Sequence, residues 1–188
     1  MTANGTNAID ILLSESFKEI ASTRPIEKIT IKEITDKAGV IRPTFYNHFQ
    51  DKYELLEWIV KKELIEPMLD KFNDGLSREG VLLAFNQIEK DRAFYRNAAK
   101  LTGQNSFRDI ITEDIKELLI PFINPSKLKK ELPYKWITPN LIALFFAESI
   151  AECIISWIQS GMKIEPDELI DTFIYMISHS VLDFCSSQ

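Results

Sequence analysis

The chain is poor in the residues on which much small-molecule chemistry depends. Its 188 residues include two histidines, two cysteines and six glycines, and each shortage closes a route. His48 and His179 stand toward opposite ends, so a histidine metal cluster or catalytic dyad would require both to be brought together. The glycines are scattered and never take the Gly-x-Gly-x-x-Gly spacing that lets a backbone cradle phosphate. Cys153 and Cys185 lie in apolar helical contexts that disfavour a thiolate, and both read as reduced core residues rather than nucleophile or disulfide. No metal and no organic cofactor is expected.

Other absences narrow the class. The opening "MTANGTNAID" has no basic flank before an apolar core, so no secretory leader is expected. The longest apolar region, "LIALFFAESIAECIISWI", nears membrane-spanning length, but Glu148 and Glu152 interrupt it where lipid penalises carboxylates. It reads as a buried helix of a cytoplasmic protein with no membrane partner. No run sustains the period-2 alternation of strands, and nearly every segment has helical period, so the fold class expected is all-α. A hydrophobic share of 45% and a charged share of 27% are those of an ordinary globular chain. Folding at this length removes roughly 70% of the unfolded surface from water.

The net charge of −6 conceals an asymmetry. Residues 1–52 carry seven basic and seven acidic side chains, so the deficit falls on residues 53–188, with fifteen against twenty-one. An anion-binding surface is therefore expected in the front part.

The first helix is expected from Thr6 or Asn7, with Ile9, Leu12, Leu13, Phe17 and Ile20 on its core stripe, until Pro25 interrupts. Thr30 and Glu33 then have the spacing of a capping box, and Ile29 and Ile34 that of a hydrophobic staple. A short helix from Ile31 to about Lys37 follows, and Gly39 permits a tight turn. A third helix spans Arg42 to about His48, and a fourth begins at Asp51, with Glu54 as a second box-like pair, and runs toward Pro67. "NDGLSREG" reads as a loop, and helices follow at about 81–101 and 106–120. Two long helices, each with Pro in its first turn, are expected at about Pro139–Ser160 and Pro166–Cys185.

Two short helices joined at a glycine turn inside a small bundle fit a helix-turn-helix, whose second helix enters the DNA major groove. In "AGVIRPTFYNHF", Ala38 permits close helix approach, while Val40, Phe45 and Phe49 supply packing. Arg42, Pro43, Thr44, Tyr46, Asn47 and His48 occupy the remaining surface. Arg42 can fork onto guanine or phosphate, Thr44 can offer its hydroxyl or methyl, and Tyr46 and His48 can donate to phosphate oxygens. Lys52, at a helix start with free amides, is also placed for phosphate. For Tyr46 and His48 the bare pattern leaves packing and DNA contact equally open.

The stretch Thr30–Val60, "TIKEITDKAGVIRPTFYNHFQDKYELLEWIV", resembles the DNA-binding domain of the TetR family of transcriptional regulators: a short helix, Ala-Gly-Val, a recognition helix ending Tyr-x-x-Phe, then Lys near the start of a long connecting helix. The resemblance spans residues 6 to 60. It implies an N-terminal three-helix helix-turn-helix domain, residues 1–52, and a C-terminal helical sensing and dimerisation domain, residues 53–188. It further implies that Arg42, Pro43, Thr44 and Asn47 face base edges or nearby backbone, and that Tyr46, His48 and Lys52 bind phosphates. One departure is Ile41, where the family commonly has a helix-capping Ser; losing such a cap costs ~1 kcal/mol.

The two last helices offer apolar residues on more sides than one neighbour would cover. A homodimer is expected, with Phe145, Ile150, Ile154, Trp157, Phe173, Ile177 and Val181 at its interface. Tyr95, Arg96, Gln104, Asn105 and Trp136 are candidates for an effector site, although Asn105 or Ser106 can simply start the next helix. "FYRNAAKLTGQNSF" also resembles the C-terminal domain of a Firmicutes-type branch of the family that includes dihydroxyacetone kinase regulators, which implies an effector that is a partner protein or a small molecule. The partners expected are an operator duplex, a second copy and an effector. A non-DNA-binding helical adaptor and an enzyme with an unrecognised site stand as the alternatives.

Overall fold

The computed structural model describes residues 3–71, 77–103, 105–123, 134–179 and 183. Among them every regular element is helical. Helix α1, Ala3–Ala21, starts earlier than its sequence pattern suggests. It packs on α2, Ile31–Ala38, and α4, Lys52–Val60, through Leu13 and Phe17, while Leu12 lies outside on the exposed face. Helix α3, Arg42–Tyr46, completes a small bundle whose inner residues Ile29, Ile34, Phe45, Phe49 and Leu55 are buried.

Helix α4 does not run on as an ordinary α-helix. Lys61–Ile65 form one turn of π-helix, and α5, Glu66–Leu69, continues from it, with Pro67, which has no amide hydrogen to give the ladder, standing just after the turn. Helix α6 is Arg78–Lys90, so the "SREG" of the expected loop is partly helical. The single helix expected over 81–101 is two, because Asp91 leaves helical geometry (φ −100°, ψ 35°) before α7, Arg92–Ala98. No Pro or Gly marks this break; its cause is tertiary, since the Asp91 carboxylate accepts from Lys18 and Gln87, both 2.8 Å away.

Helix α8, Phe107–Leu119, opens on a reciprocal box between Ser106 and Asp109. It lies along α9, Pro139–Gln159. Ala143, Ala147 and Ala151 recur every fourth residue on α9 and are wholly buried, which lets the two helices approach closely. Arg108 on α8 reaches Glu148 at 3.9 Å and also pairs with Glu152, so the two acids that interrupt the apolar run face a cation rather than lipid. Helix α9 is long and apolar enough to cross a membrane by length and composition alone. Helix α10, Pro166–Ser178, packs on α6; Val181 and Cys185 fall outside the described residues. The buried apolar side chains form one continuous cluster from Leu13 to Ile170, so α1 to α4 are seated on the later helices rather than tethered to them.

Candidate nucleic-acid interface

The start of α2 has the capping box expected of it. Thr30 Oγ1 accepts from the Glu33 amide at 3.3 Å, and the Glu33 carboxylate accepts from the Thr30 amide at 2.8 Å. Arg24 closes on the same carboxylate at 2.5 Å, and together Arg24 and Thr30 hold the Glu33 carboxyl down at about 2. Gly39 then takes the left-handed conformation (φ 66°, ψ 27°) that ends α2, and the Val40 amide donates back to the Thr35 carbonyl at 3.0 Å. This double closure fixes the angle at which α3 leaves α2.

Ile41 is the N-cap of α3 and makes no side-chain cap. A capping hydroxyl would bond the amide of the second or third helical residue. Pro43, the second, has no amide hydrogen, and the amide of Thr44, the third, already donates to the Ile41 carbonyl at 2.9 Å. A side-chain cap here could only share the Thr44 amide with the Ile41 carbonyl, as Thr30 shares that of Glu33, so the departure from the family pattern leaves no unmet bond. Ile41 is 69% exposed instead, beside Arg42.

One side of α3 is locked inside. The Phe45 ring is wholly buried, edge-on to Tyr46 at 5.6 Å and 5.9 Å from Phe49, which in turn meets Trp58 of α4 at 6.1 Å. The other side is bare: Arg42, Pro43, Tyr46, Asn47 and Gln50 are exposed, and Thr44 is half-buried between the two. Most other cations of this region are engaged. Lys32 pairs with Asp36 and Lys37 with Glu19, each at 2.5 Å. Among the described residues up to Lys52, Arg42 and Lys28 are the cations without an ion-pair partner or side-chain hydrogen bond, which leaves Arg42 free for an incoming anion.

Two residues read from the sequence as phosphate ligands are used within the fold. His48 Nδ1 is hydrogen-bonded to Asp10 at 2.7 Å, both side chains being largely buried, and this joins the end of α3 to α1. The Lys52 ammonium donates to the carbonyls of Ile26, Glu27 and Ile29 at 2.8, 2.7 and 2.8 Å. That accounts for all three of its donors. Its desolvation lowers the pKa of this lysine, against the pull of nearby Glu27 and Asp51. The helix start is occupied as well: Asp51 accepts from the amides of Tyr53 and Glu54 at 2.7 and 3.0 Å, so the amides available to a phosphate are fewer than expected. Sequence spacing could not show this, because the three carbonyls come from a turn more than twenty residues upstream.

The interface is tied to the rest of the chain by a polar junction that residue spacing does not reveal. Lys18 of α1 donates to Glu63 in the π-turn at 2.6 Å and to Asp91 at 2.8 Å. Gln87 and the wholly buried Tyr95 also donate to Glu63, each at 3.3 Å. Burial opposes the Lys18 charge, but the bonds to Asp91 and Glu63 outweigh it and hold its pKa above the ordinary value. Asn97 donates to the Ala21 carbonyl at 2.7 Å and closes the same seam.

The effector-site candidates do not converge. Tyr95 belongs to that junction; Arg96 packs beside Gly161; Asn105 takes a left-handed turn before the Ser106 cap; Trp136 is 79% exposed; Gln104 lies outside the described residues. An apolar cavity lies elsewhere, between the π-turn and α6, α8, α9 and α10. The dimer candidates also divide. Phe145 is 67% exposed and Ile177 is exposed, whereas Ile154 and Trp157 are buried and Ile150 and Phe173 are half-buried on the cavity wall. Trp157 is held inward because its indole donates to the Ile164 carbonyl at 2.8 Å. Leu144, Ile174 and Met176 are exposed apolar residues of α9 and α10 that the periodicity did not single out.

Residues 17–59 match the family model described as bacterial regulatory proteins, tetR family, and residues 77–179 match one described as a transcriptional regulator C-terminal region. The sequence is 27% identical over 85 residues to the HTH-type dhaKLM operon transcriptional activator DhaS of Lactococcus lactis subsp. lactis (strain IL1403), covering 45% of this chain and 46% of that one. It is 26% identical over 132 residues to the uncharacterized HTH-type transcriptional regulator YxbF of Bacillus subtilis (strain 168), covering 64% of this chain and 34% of that one. The matches therefore span about half and about a third of these relatives. Among solved structures, a dihydroxyacetone kinase operon activator DhaS superposes with a TM-score of 0.61 at 20% identity, covering 89% of this chain and 93% of that one, a likeness of fold.

Proposed function

The chain belongs to the TetR family of transcriptional regulators, and from that premise we propose that it binds operator DNA as a cytoplasmic homodimer through the bare face of α3 and is switched by an effector bound in its later helices. The observation that carries the reading is the division of α3 into a face locked by Phe45 and a face presenting Arg42, Pro43, Tyr46 and Asn47, with Thr44 at the seam. Arg42 and Asn47 supply groups for base edges, Tyr46 a hydroxyl for phosphate, and Ile41 an apolar surface suited to a thymine methyl. His48 and Lys52 act behind them, holding α3 and the start of α4 in place. The functional division falls between residues 52 and 53, even though the apolar core crosses it.

Two copies related by a twofold axis would set their α3 helices one DNA turn apart, ~34–36 Å. The exposed apolar faces of α9 and α10, with Phe145, Ile174 and Ile177, are the surface that pairing would cover. An effector acts only through a difference in its affinity for two arrangements of the dimer, and the junction of Lys18, Glu63 and Asp91 is the path by which the later helices hold α1.

The test is binding to DNA fragments selected from the source genome, titrated with salt. Affinity is expected to fall steeply as salt rises and to drop at least tenfold in Arg42→Ala. Salt-insensitive binding, or none, supports a helical adaptor instead.

A further inference from the structure

Ile41 is 69% exposed, and no other Ile, Leu or Met among the described residues is as much as half exposed. A single apolar side chain on a surface is ordinary. This one stands at the entry of α3, beside Arg42, on the side that also presents Tyr46 and Asn47. It serves neither of the uses the fold has for a residue there, since it lies outside the core and makes no cap.

Its backbone, by contrast, is firmly held. The Val40 amide before it donates to Thr35, its own carbonyl accepts from Thr44, and buried Phe45 anchors the turn that follows. Branching at Cβ leaves the side chain few rotamers. A stiff side chain on a fixed backbone loses little freedom when a partner covers it, so contact is favoured.

The chemistry of the major groove decides what covers it. Every base pair there shows donors and acceptors, and thymine adds a hydrocarbon group, the C5 methyl. An isoleucine pressed on a donor, an acceptor or a phosphate would strip its water and return no hydrogen bond. Pressed on the methyl, it removes apolar surface from both partners. A hydroxyl at this position could bond to several base edges; a hydrocarbon cannot. Successive Cα atoms lie about 3.8 Å apart and successive base pairs ~3.4 Å, so Ile41 and Arg42 address the same or adjoining pairs. A pair that holds guanine has no thymine, which leaves the adjoining one.

We propose that Ile41 is a specificity-determining residue, selecting half-sites in which a thymine adjoins the guanine taken by Arg42. The proposal rests on the operator-binding reading above and adds to it a base and its position.

The test begins with duplexes selected from a random library by the full chain. In them each thymine is replaced in turn by uracil, which lacks only the methyl, and each guanine by 7-deazaguanine, which lacks the N7 acceptor. Dissociation constants are read by fluorescence anisotropy at one salt concentration. One thymine per half-site is expected to cost the unaltered chain about fourfold on losing its methyl, and Ile41→Ala less than twofold. Ile41→Val should keep most of the dependence. Ile and Ala are equally poor caps, so circular dichroism should be unchanged; should Ile41→Ala not fold, Ile41→Ser makes the same comparison. Pro43→Ala removes the other exposed apolar group at the start of α3 and should leave the dependence in place. The guanine whose 7-deaza form is silent only in Arg42→Ala should adjoin that thymine. The proposal is overturned if no thymine loses its methyl dependence in the Ile41 variant, or if Pro43→Ala abolishes it instead. It is also overturned if Arg42→Ala silences no guanine, or one more than a base pair from that thymine. A chain that selects no duplex refutes the operator reading itself; one that binds its selected duplexes but is indifferent to uracil refutes the role of Ile41 alone.

Discussion

Arg42 and Lys52 sit ten residues apart and carry the same charge, yet their surroundings give them opposite work. Arg42 is exposed and unpaired, whereas the Lys52 ammonium is spent on three carbonyls. Lys52→Met is therefore expected to lower stability by about 1–3 kcal/mol, because it strands three carbonyl acceptors, two of them part-buried. Urea denaturation reads that loss, and DNA affinity measured on the folded fraction should move far less than in Arg42→Ala. Asp114 gives a second expectation at this scale. It is buried on α8, one carboxylate oxygen has no hydrogen-bond partner, and Lys61 stands 3.6 Å away. Burial, helped by Glu57 and Glu117 and only partly opposed by Lys61, pushes its pKa up to about 6. The folded protein thus binds this proton more tightly than the unfolded chain, so the contribution of Asp114 to stability falls as pH rises from about 4 to about 6 and is flat above. A shift of that size corresponds to about 2–3 kcal/mol. Asp114→Asn is expected to be the more stable protein at pH 7 to 8, with its advantage gone near pH 4, as thermal melts across that range would show.

Among the elements, α3 makes the sharpest prediction. Since Pro43 lacks an amide and a capping side chain could only share the Thr44 amide with the Ile41 carbonyl, Ile41→Ser should change stability by less than about 0.5 kcal/mol. In the Pro43→Ala background the same change regains a donor to cap and should stabilise by ~1 kcal/mol. Equal effects in both backgrounds, measured by chemical denaturation, would refute this account of the helix start. The contrast with α2 shows which parts of the fold were legible. Thr30 and Glu33 lie three residues apart and satisfy each other, so their box is written in local spacing. The break at Asp91 and the roles of His48 and Lys52 depend on Lys18, Asp10 and the carbonyls of residues 26 to 29, which lie 73, 38 and 23 to 26 residues away in the chain. Helical period identified α9 but not which of its faces is inside; Trp157 went inward because a carbonyl across the following turn takes its indole hydrogen. The exposed face of α3 was readable in part, because Phe45 and Phe49 mark its inner side, whereas exposed Ile41 and largely buried His48 run against that pattern.

For the molecule as a whole, the junction of Lys18, Glu63 and Asp91 is a polar tie between α1 and the later helices. Lys18 is nearly buried between Glu63 and Asp91, so Lys18→Met leaves two carboxylates facing each other and should cost about 2–4 kcal/mol. Glu63→Gln removes part of that repulsion, and the double variant should lose less than the sum of the two single losses. Additive losses in denaturant would mean that the three groups do not act as a unit. The π-turn through which this junction passes has a further consequence. A π-turn is an α-helix carrying one surplus residue, and every residue advances an α-helix by about 100°. Deleting Lys62 should remove that surplus residue, and Lys61 and Glu63 could then no longer meet Asp114 and Lys18 together. Helicity should survive in circular dichroism while operator binding is lost in a mobility-shift assay. The extra residue would then work as a phase shifter, setting the rotational register in which the proposed reading face meets the double helix.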